Sequence, residues 1–330
     1  MTDTTVLKPP PKLRADANSG WLRWAVDWIM PLIVVVMMVY FTMTTNNFLT
    51  AANLSAILTQ NASTFVVAAV AGLLLMAGYA DLSVGSMLAL SGVAAGLTFN
   101  AAGVWAGIAV GLGSGLLVGA INGGLIGFLG LSPIVVTLGG LAGERALALY
   151  LSPDQVYGFP PAVSQFANAS FGGVSLIGWL AIIICAGALF VTAALPLGRQ
   201  VQAIGVNSRA AFLVGLRVKR TVFLLYAAVG LAVGVAALMQ IARLDSAPSG
   251  TLGVGFEVTV LTAILLGGIP FTGGRGSLWR VLVGVWLLAV LRNGLTLLNY
   301  GPEIAGMVTG AVLVFAAGLQ AFTELVRRRS

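Results

Sequence analysis

The sequence predicts an all-α, polytopic membrane protein of about ten transmembrane helices, with both termini cytoplasmic. Three observations predict it: composition, the gaps between charges and the placement of the basic residues. Hydrophobic residues make up 58% of the 330-residue chain and charged residues only 8%, where a soluble domain carries roughly 25% charged residues. The mean hydropathy is +1.00. No Asp, Glu, Lys or Arg occurs between Asp27 and Asp81, between Asp81 and Glu144, or between Asp154 and Arg199. A span needs about 20 apolar residues, so each gap holds about two.

The spans are expected near residues 24–45, 62–79, 82–100, 103–128, 132–151, 174–196, 221–243, 253–270, 278–299 and 303–323. With both termini inside, the inside segments carry Lys8, Lys12, Arg14, Arg23, Arg199, Arg209, Arg217, Lys219, Arg220, Arg275, Arg280, Arg327, Arg328 and Arg329. These are 14 of the 17 basic residues. Only Arg145, Arg243 and Arg292 fall toward the outside, and the outside loop 152–173 has no basic residue. This is the bias that the positive-inside rule expects. Residues 1–22 read as a disordered cytoplasmic tail with Pro9, Pro10 and Pro11 in a row, residues 23–326 as one transmembrane domain, and 327–330 as a basic cytoplasmic end. A cleavable signal peptide is not expected, because the apolar stretch running to about Thr45 is too long for an h-region.

The fourth span carries a glycine ladder. Gly103, Gly107, Gly111, Gly115, Gly119, Gly123 and Gly127 recur at every fourth residue. Small residues at this spacing let helix backbones approach closely in lipid. Four residues advance a helix by about 400°, so the stripe drifts and is expected to meet several neighbours in turn. Two Gly-Ser turns also stand out. L-L-M-A-G-Y-A-D-L-S-V-G-S at 74–86 joins the second and third spans, and I-L-L-G-G-I-P-F-T-G-G-R-G-S at 264–277 joins the eighth and ninth. Both are placed on the cytoplasmic side or dipping into the membrane, as candidate relics of an internal repeat.

Several chemistries are excluded. A net charge of +7 invites a nucleic-acid reading, but the basic residues sit at the ends of apolar segments and not on one folded face. There is no His, and the single Cys185 lies in an apolar run, so neither a disulfide framework nor a metal centre is expected, and no cofactor. The string G-G-R-G-S at 273–277 lacks the lysine of a phosphate-binding loop. Nothing in the spacing of Asp81, Glu144, Asp245, Glu257 and Glu303 pairs two of them for acid–base work, so an enzyme is not expected.

The ionisable residues near the spans have structural readings. Asp81 is placed to cap the third helix, with a role in gating or the substrate path as the alternative. Glu144 and Arg145 are adjacent, point about 100° apart and are not expected to pair. Glu257 opens the eighth span, where the helix dipole favours a carboxylate, and Arg292 is expected to snorkel outward.

The least hydrophobic stretch is P-L-G-R-Q-V-Q-A-I-G-V-N-S-R-A-A-F-L-V-G-L-R-V-K-R at 196–220, with five of the 17 basic residues. Asn207 is a good N-cap for a short helix from Ser208 to Leu216. Phe212 and Leu216 stand four apart with Leu213 beside them, and Gly215 suits a helix stop. Exposed Phe and Leu ringed by Arg suit a groove on a soluble partner. The other reading is an interfacial helix on anionic headgroups.

These segments resemble the membrane permease subunits of bacterial ABC sugar importers of the ribose/xylose/arabinose type, from about Phe48 to Glu324. A-G-Y-A-D-L-S-V-G-S at 77–86 is similar to the family's G-G-I-D-L-S-V-G-S, and S-P-I-V-V-T-L-G-G-L at 132–141 to its P-x-F-I-V-T-L-G. G-R-Q-V-Q-A-I-G-V-N-S-R-A-A-F-L-V-G-L at 198–216 and L-G-G-I-P-F-T-G-G-R-G-S at 266–277 likewise match family segments. Two departures are Arg209, where the family often has an acid, and Tyr79-Ala80 in place of Gly/Ile before Asp81. The resemblance implies a second permease copy, identical or paralogous, two cytoplasmic ABC ATPase subunits that hydrolyse the ATP, an extracytoplasmic sugar-binding protein, and a monosaccharide or related polyol as cargo in the inner membrane. It implies coupling to the ATPase through loop 197–220, with Asn207, Arg209, Ala210, Ala211, Phe212 and Gly215 as its residues. Asn61, Asp81, Ser83, Asn122, Thr137 and Asn293 are candidates for the translocation path or its gating. The alternative is a secondary transporter driven by an ion gradient, which would recruit buried carboxylates such as Glu144 or Glu257 and leaves the basic loop without a task.

Overall fold

The computed structural model describes residues 19–329 of the chain. Most of the expected tail, with Lys8, Lys12 and Arg14, lies outside the described residues, as does Ser330. The chain runs α1 (Ser19–Thr44), α2 (Ala51–Met76), α3 (Val84–Ala102) and α4 (Val104–Gly123), which a π-helical turn (Gly124–Phe128) extends. Then come α5 (Pro133–Leu151), β1 (Val156–Tyr157), α6 (Pro161–Asn168), β2 (Ser170–Phe171), β3 (Val174–Ser175) and α7 (Leu176–Ala194). The short α8 (Pro196–Val206) and α9 (Ser208–Leu213) lead to α10 (Val218–Leu244), β4 (Ser246–Ala247), α11 (Phe256–Leu266), α12 (Leu278–Leu297) and α13 (Pro302–Arg329).

Every expected span overlaps a helix of this series. Among the described residues seven helices are long and apolar enough to cross a membrane: α2, α3, α4 with its π turn, α5, α7, α10 and α12. Shorter apolar stretches lie at Trp28–Thr44, Phe256–Leu266 and Pro302–Phe315. Two of the boundary changes bear on the site. The span expected at 62–79 starts at Ala51, where the Thr50 hydroxyl accepts from the Asn53 amide at 3.2 Å and caps the helix. The span expected at 253–270 shrinks to the 11 residues of α11.

The glycine ladder lays α4 against α10. Gly107 and Gly111 face Phe99 and Ala95 of α3, and Gly111 also meets Leu238 of α10. From Gly115 onward the atoms nearest the stripe all belong to α10. Gly115 and Gly119 pack on Gly230 and Gly234, while a Cβ at Gly123 would stand 2.8 Å from the Phe223 carbonyl oxygen and one at Gly127 2.9 Å from that of Lys219. The expected drift therefore moves the stripe between two neighbours. The π turn at 124–128 then holds Gly127 on α10, because its wider i→i+5 turn advances less per residue than α-helix.

A third helix, α3, starts inside the bundle. After α2 ends, Gly78 (φ +83°) lies beside Gly205 and Thr272 near the short helices, at the end of the bundle we call the basic end. The chain then climbs back inward. The Tyr226 hydroxyl, eight residues into α10, donates to the Ala80 carbonyl at 2.9 Å, and a Cβ at Gly140, seven residues into α5, would meet Ser83 at 3.2 Å. At 1.5 Å per residue α3 begins about 10 Å from the basic end.

The non-helical stretch between β4 and α11 comes down to meet it. At the opposite end β4 pairs antiparallel with β1, Val156 opposite Ala247. From there residues 247–253 descend along α3 past Gly96, Gly92 and Gly85, which share one face. A Cβ at Gly96 would sit 3.4 Å from Ala247 and one at Gly92 2.7 Å from Leu252, and one at Gly85 would overlap the Gly253 carbonyl and the Glu257 carboxylate. Irregular backbone at membrane depth is tolerated only when protein covers it, and these glycines form the trough that covers it.

Replacing Gly115 with Leu is expected to force α4 and α10 apart, costing at least the roughly 1–3 kcal/mol of an overpacked core. Gly113 faces open space on the same helix, so Gly113→Leu serves as the control. Thermal unfolding in detergent should show a lowered Tm and yield for the first variant and little change for the second.

Candidate functional site

Polar chemistry concentrates in two places. The first surrounds the inward start of α3. Asp81 Oδ1 accepts from the Ser83 amide at 2.8 Å and the Ser83 hydroxyl at 2.7 Å. Asn122 Nδ2 of α4 donates to Ser83 Oγ at 3.2 Å. Ser86 Oγ stands 2.8 Å from both the Ser83 carbonyl and Glu144 Oε2 of α5. Asp81, Ser83, Ser86, Asn122 and Glu144 are all buried, and Asp81 Oδ2 has no hydrogen-bond partner among the described residues.

The Asp81 side chain does not cap α3. The N-cap is Ser83, which makes no side-chain cap bond, and Asp81 instead closes the turn just before it. What holds carboxylates at this depth is the meeting of two helix starts. The first turns of α3 and α11 approach at Gly85, Gly253 and Glu257. Each N-terminus carries roughly half a positive charge, so acidic side chains are stabilised there. Glu257 lies in the first turn of α11, as the sequence predicts.

Arg145 completes the junction. It donates to the Leu252 carbonyl at 2.6 Å, and at 3.4 Å to those of Ser249 and Gly85. Glu257 is near enough to act on it electrostatically. Glu144 and Arg145 take different partners, in keeping with their divergent directions. Arg292 departs from expectation: it is half-buried and donates to Thr259 Oγ1 of α11 at 2.8 Å, a neighbour that offers an acceptor inside the bundle.

Of the residues singled out from sequence, the fold gathers Asp81, Ser83 and Asn122 into this junction. Thr137 is fully buried on the same face of α5 as Glu144, with its hydroxyl returned to the Pro133 carbonyl at 2.8 Å. Asn61 and Asn293 lie elsewhere. Asn61 donates to the Ile57 carbonyl of its own helix at 2.8 Å. Asn293 exchanges amide hydrogen bonds with Asn53 at 2.9 and 3.0 Å, joining α12 to the start of α2. Sequence reasoning missed Ser86 and the joining of Asp81 to Glu144. The L-S-V-G-S string contains Ser86, but only the packing of α3 on α5 shows which carboxylate it meets.

The second place is the loop after α7. It folds as two helices and not one. Pro196 starts α8 at its first turn, and Val201 and Ile204 bury one face of it against the bundle. Asn207 Oδ1 accepts from the Ala210 amide at 2.9 Å, the expected N-cap of α9. The helix ends at Leu213, and Gly215 takes φ +89°, the left-handed conformation of a helix stop. Phe212, Leu213 and Val214 are 67%, 78% and 79% exposed. Ala211 faces inward and is buried, whereas Arg209 and Ala210 are exposed. Leu216 does not share the exposed face with Phe212, because it lies beyond the stop and packs back on the core.

A bundle of membrane-length helices, two broken helix starts sealed by buried polar groups and an exposed pair of short helices define a membrane transport subunit. Residues 53–317 match the family model described as the branched-chain amino acid transport system / permease component, and the chain belongs to that family. It is similar to the D-allose transport system permease protein AlsC of Escherichia coli (strain K12), 30% identical over 306 residues and 91% of each chain. It is 31% identical over 256 residues to the autoinducer 2 import system permease protein LsrD of Photorhabdus laumondii, covering 74% of this chain and 75% of the relative. The LsrD of Yersinia enterocolitica is 35% identical over 253 residues, 73% and 75% of the two chains. No solved structure matches the chain.

Arg145→Lys keeps the charge but loses the planar fork that serves carbonyls on two segments. A buried carbonyl left unpaired costs about 1–3 kcal/mol. The variant is expected to insert normally and to unfold at a lower temperature, as circular dichroism in detergent will show.

Proposed function

We propose that this chain is the permease subunit of an ATP-driven importer for a monosaccharide or related polyol in the bacterial inner membrane. Family membership makes it a transport subunit and not an enzyme, with ATP hydrolysed by a separate chain. The name of one relative, a D-allose transport system permease, supports a monosaccharide as cargo, and the names of both kinds of relative support a permease role. The observation that carries the mechanism is the exposed apolar tip of α9 at the basic end. Phe212, Leu213 and Val214 project from a capped helix whose other side is anchored by buried Ala211. An amphipathic helix of this kind suits a hydrophobic groove on a cytoplasmic ATPase.

In this reading ten helices span the membrane, residues 23–326 form one permease domain behind the tail 1–22, and the basic end faces the cytoplasm with both termini. Charge supports that orientation, since Arg199, Arg209, Arg217, Lys219, Arg220, Arg275 and Arg280 all lie at or beside the basic end. Asn207 and Gly215 frame the coupling helix, Arg209, Ala210 and Phe212 meet the ATPase, and Ala211 anchors it. The face of α5 that carries Gly139 and Gly143 looks onto open space. Small residues at this spacing suit a second permease copy packed against it. The path then runs beside α5, with Asp81, Ser83, Asn122 and Thr137 behind it as a gating layer. Asn293, paired with Asn53, holds α12 against α2, and Asn61 is bonded within its own helix, so both lie beside the path and not in the gating layer. An extracytoplasmic sugar-binding protein delivers the cargo at the opposite end. An ion-gradient transporter is disfavoured by the family match and by the exposed coupling helix.

Phe212→Ala and Arg209→Glu are each expected to lower uptake by tenfold or more while the protein still inserts. The checks are uptake in cells expressing the whole importer, and recovery of the ATPase with the tagged permease. Normal uptake in both variants would sink the coupling role of α9.

A further inference from the structure

The short helices touch the rest of the protein where three segments cross almost without side chains. Gly205, next to last in α8, lies between the last carbonyl of α2 and the second Gly-Ser turn: a Cβ there would overlap the Met76 carbonyl oxygen and the Gly274 amide. The Gly274 amide itself donates to the Met76 carbonyl at 2.8 Å. Gly273 lies against Gly78, with a Cβ 2.5 Å from the Gly78 nitrogen, and a Cβ at Gly274 would be 2.9 Å from Val206. Gln202 Nε2 adds a bond to the Gly276 carbonyl at 3.3 Å. Gly78, Gly273 and Gly274 all have φ between +71° and +83°, where only glycine is unstrained.

Each segment leads somewhere different. From Gly78 five residues reach Ser83 and the buried polar start of α3. The turn holding Gly273 and Gly274 joins α11, whose own start lies in the same polar junction, to α12. Gly205 is two residues from the cap of α9. Backbone on backbone leaves no side chain to absorb a displacement, since packed interiors transmit strain and do not absorb it.

Resting on the coupling reading of α9, we infer that Gly78, Gly205, Gly273 and Gly274 form a joint that hands movement of α8–α9 to both broken helices at once, making them positioning residues of the transport cycle. The joint acts on the starts of α3 and α11 together, so the polar junction between them is loaded from two sides. Gly205 is the member to test, because its φ is not left-handed, so Ala there acts only through the backbone it overlaps, the bonded Met76 carbonyl and Gly274 amide.

The test uses the whole importer, permease with its ATPase and binding protein, in proteoliposomes. Gly205→Ala is expected to keep the ATPase bound and hydrolysing ATP while uptake per ATP falls at least tenfold. Unchanged uptake per ATP would overturn the joint. If the variant does not assemble, hydrogen exchange on the unmodified complex decides. On binding a non-hydrolysable ATP analogue, residues 77–86 and 267–277 should change protection together with α9, and a change in α9 with neither turn following would overturn the proposal. Failure of the ATPase to accompany the unmodified permease is a different result, which removes the coupling reading and the joint with it.

Discussion

In hydrocarbon every backbone N–H and C=O must find a partner inside the protein, and this chain interrupts its helices in the middle of the bundle. Residues 77–83 climb inward before α3, and residues 247–253 descend before α11. Most of the specific chemistry described above covers those interruptions. The Tyr226 hydroxyl takes the Ala80 carbonyl, Arg145 takes those of Leu252, Ser249 and Gly85, and Gly274 takes the last carbonyl of α2. The polar junction is therefore both the seal on a break in the backbone and the place where two helices are free to start at an unusual depth.

Glycine makes the seal possible, in three different ways. In the α4–α10 pair it allows two continuous helices to touch along their backbones. On α3 the glycines at 85, 92 and 96 cut a trough for a segment that is not a helix. At the basic end it permits left-handed turns that no other residue adopts without strain. At these three places glycine serves close approach and turn geometry.

The long spans were legible because lipid imposes a length, and runs free of charge such as 155–198 satisfy it. The N-cap at Asn207 and the stop at Gly215 were legible because both are local. The broken starts were harder to see. The apolar run at 253–270 has the length of a span, yet its first residues are held by Gly85 and Arg145, and only 11 residues become α11. Asp81 and Glu144 could not be joined from spacing, because the contact is made by α3 lying on α5 with Ser86 between them. Local rules likewise placed Leu216 on the exposed face of α9, and the stop at Gly215 turned it back to the core.

Two of the arginines away from the basic end obey a related constraint. They are Arg145 and Arg292. Both are spent as hydrogen-bond donors, Arg145 on carbonyls that no helix satisfies and Arg292 on a hydroxyl of the short α11. A guanidinium offers five donors on a rigid plane and is less strongly hydrated than an ammonium, so it is the cation that can reach several carbonyls at this depth. Arg243, by contrast, sits exposed in the last turn of α10, where a cation complements the helix dipole. Charge near the membrane thus follows two rules in this chain. Inside the bundle it follows the acceptors that the packing leaves open, and at the exposed end of α10 it follows the helix dipole.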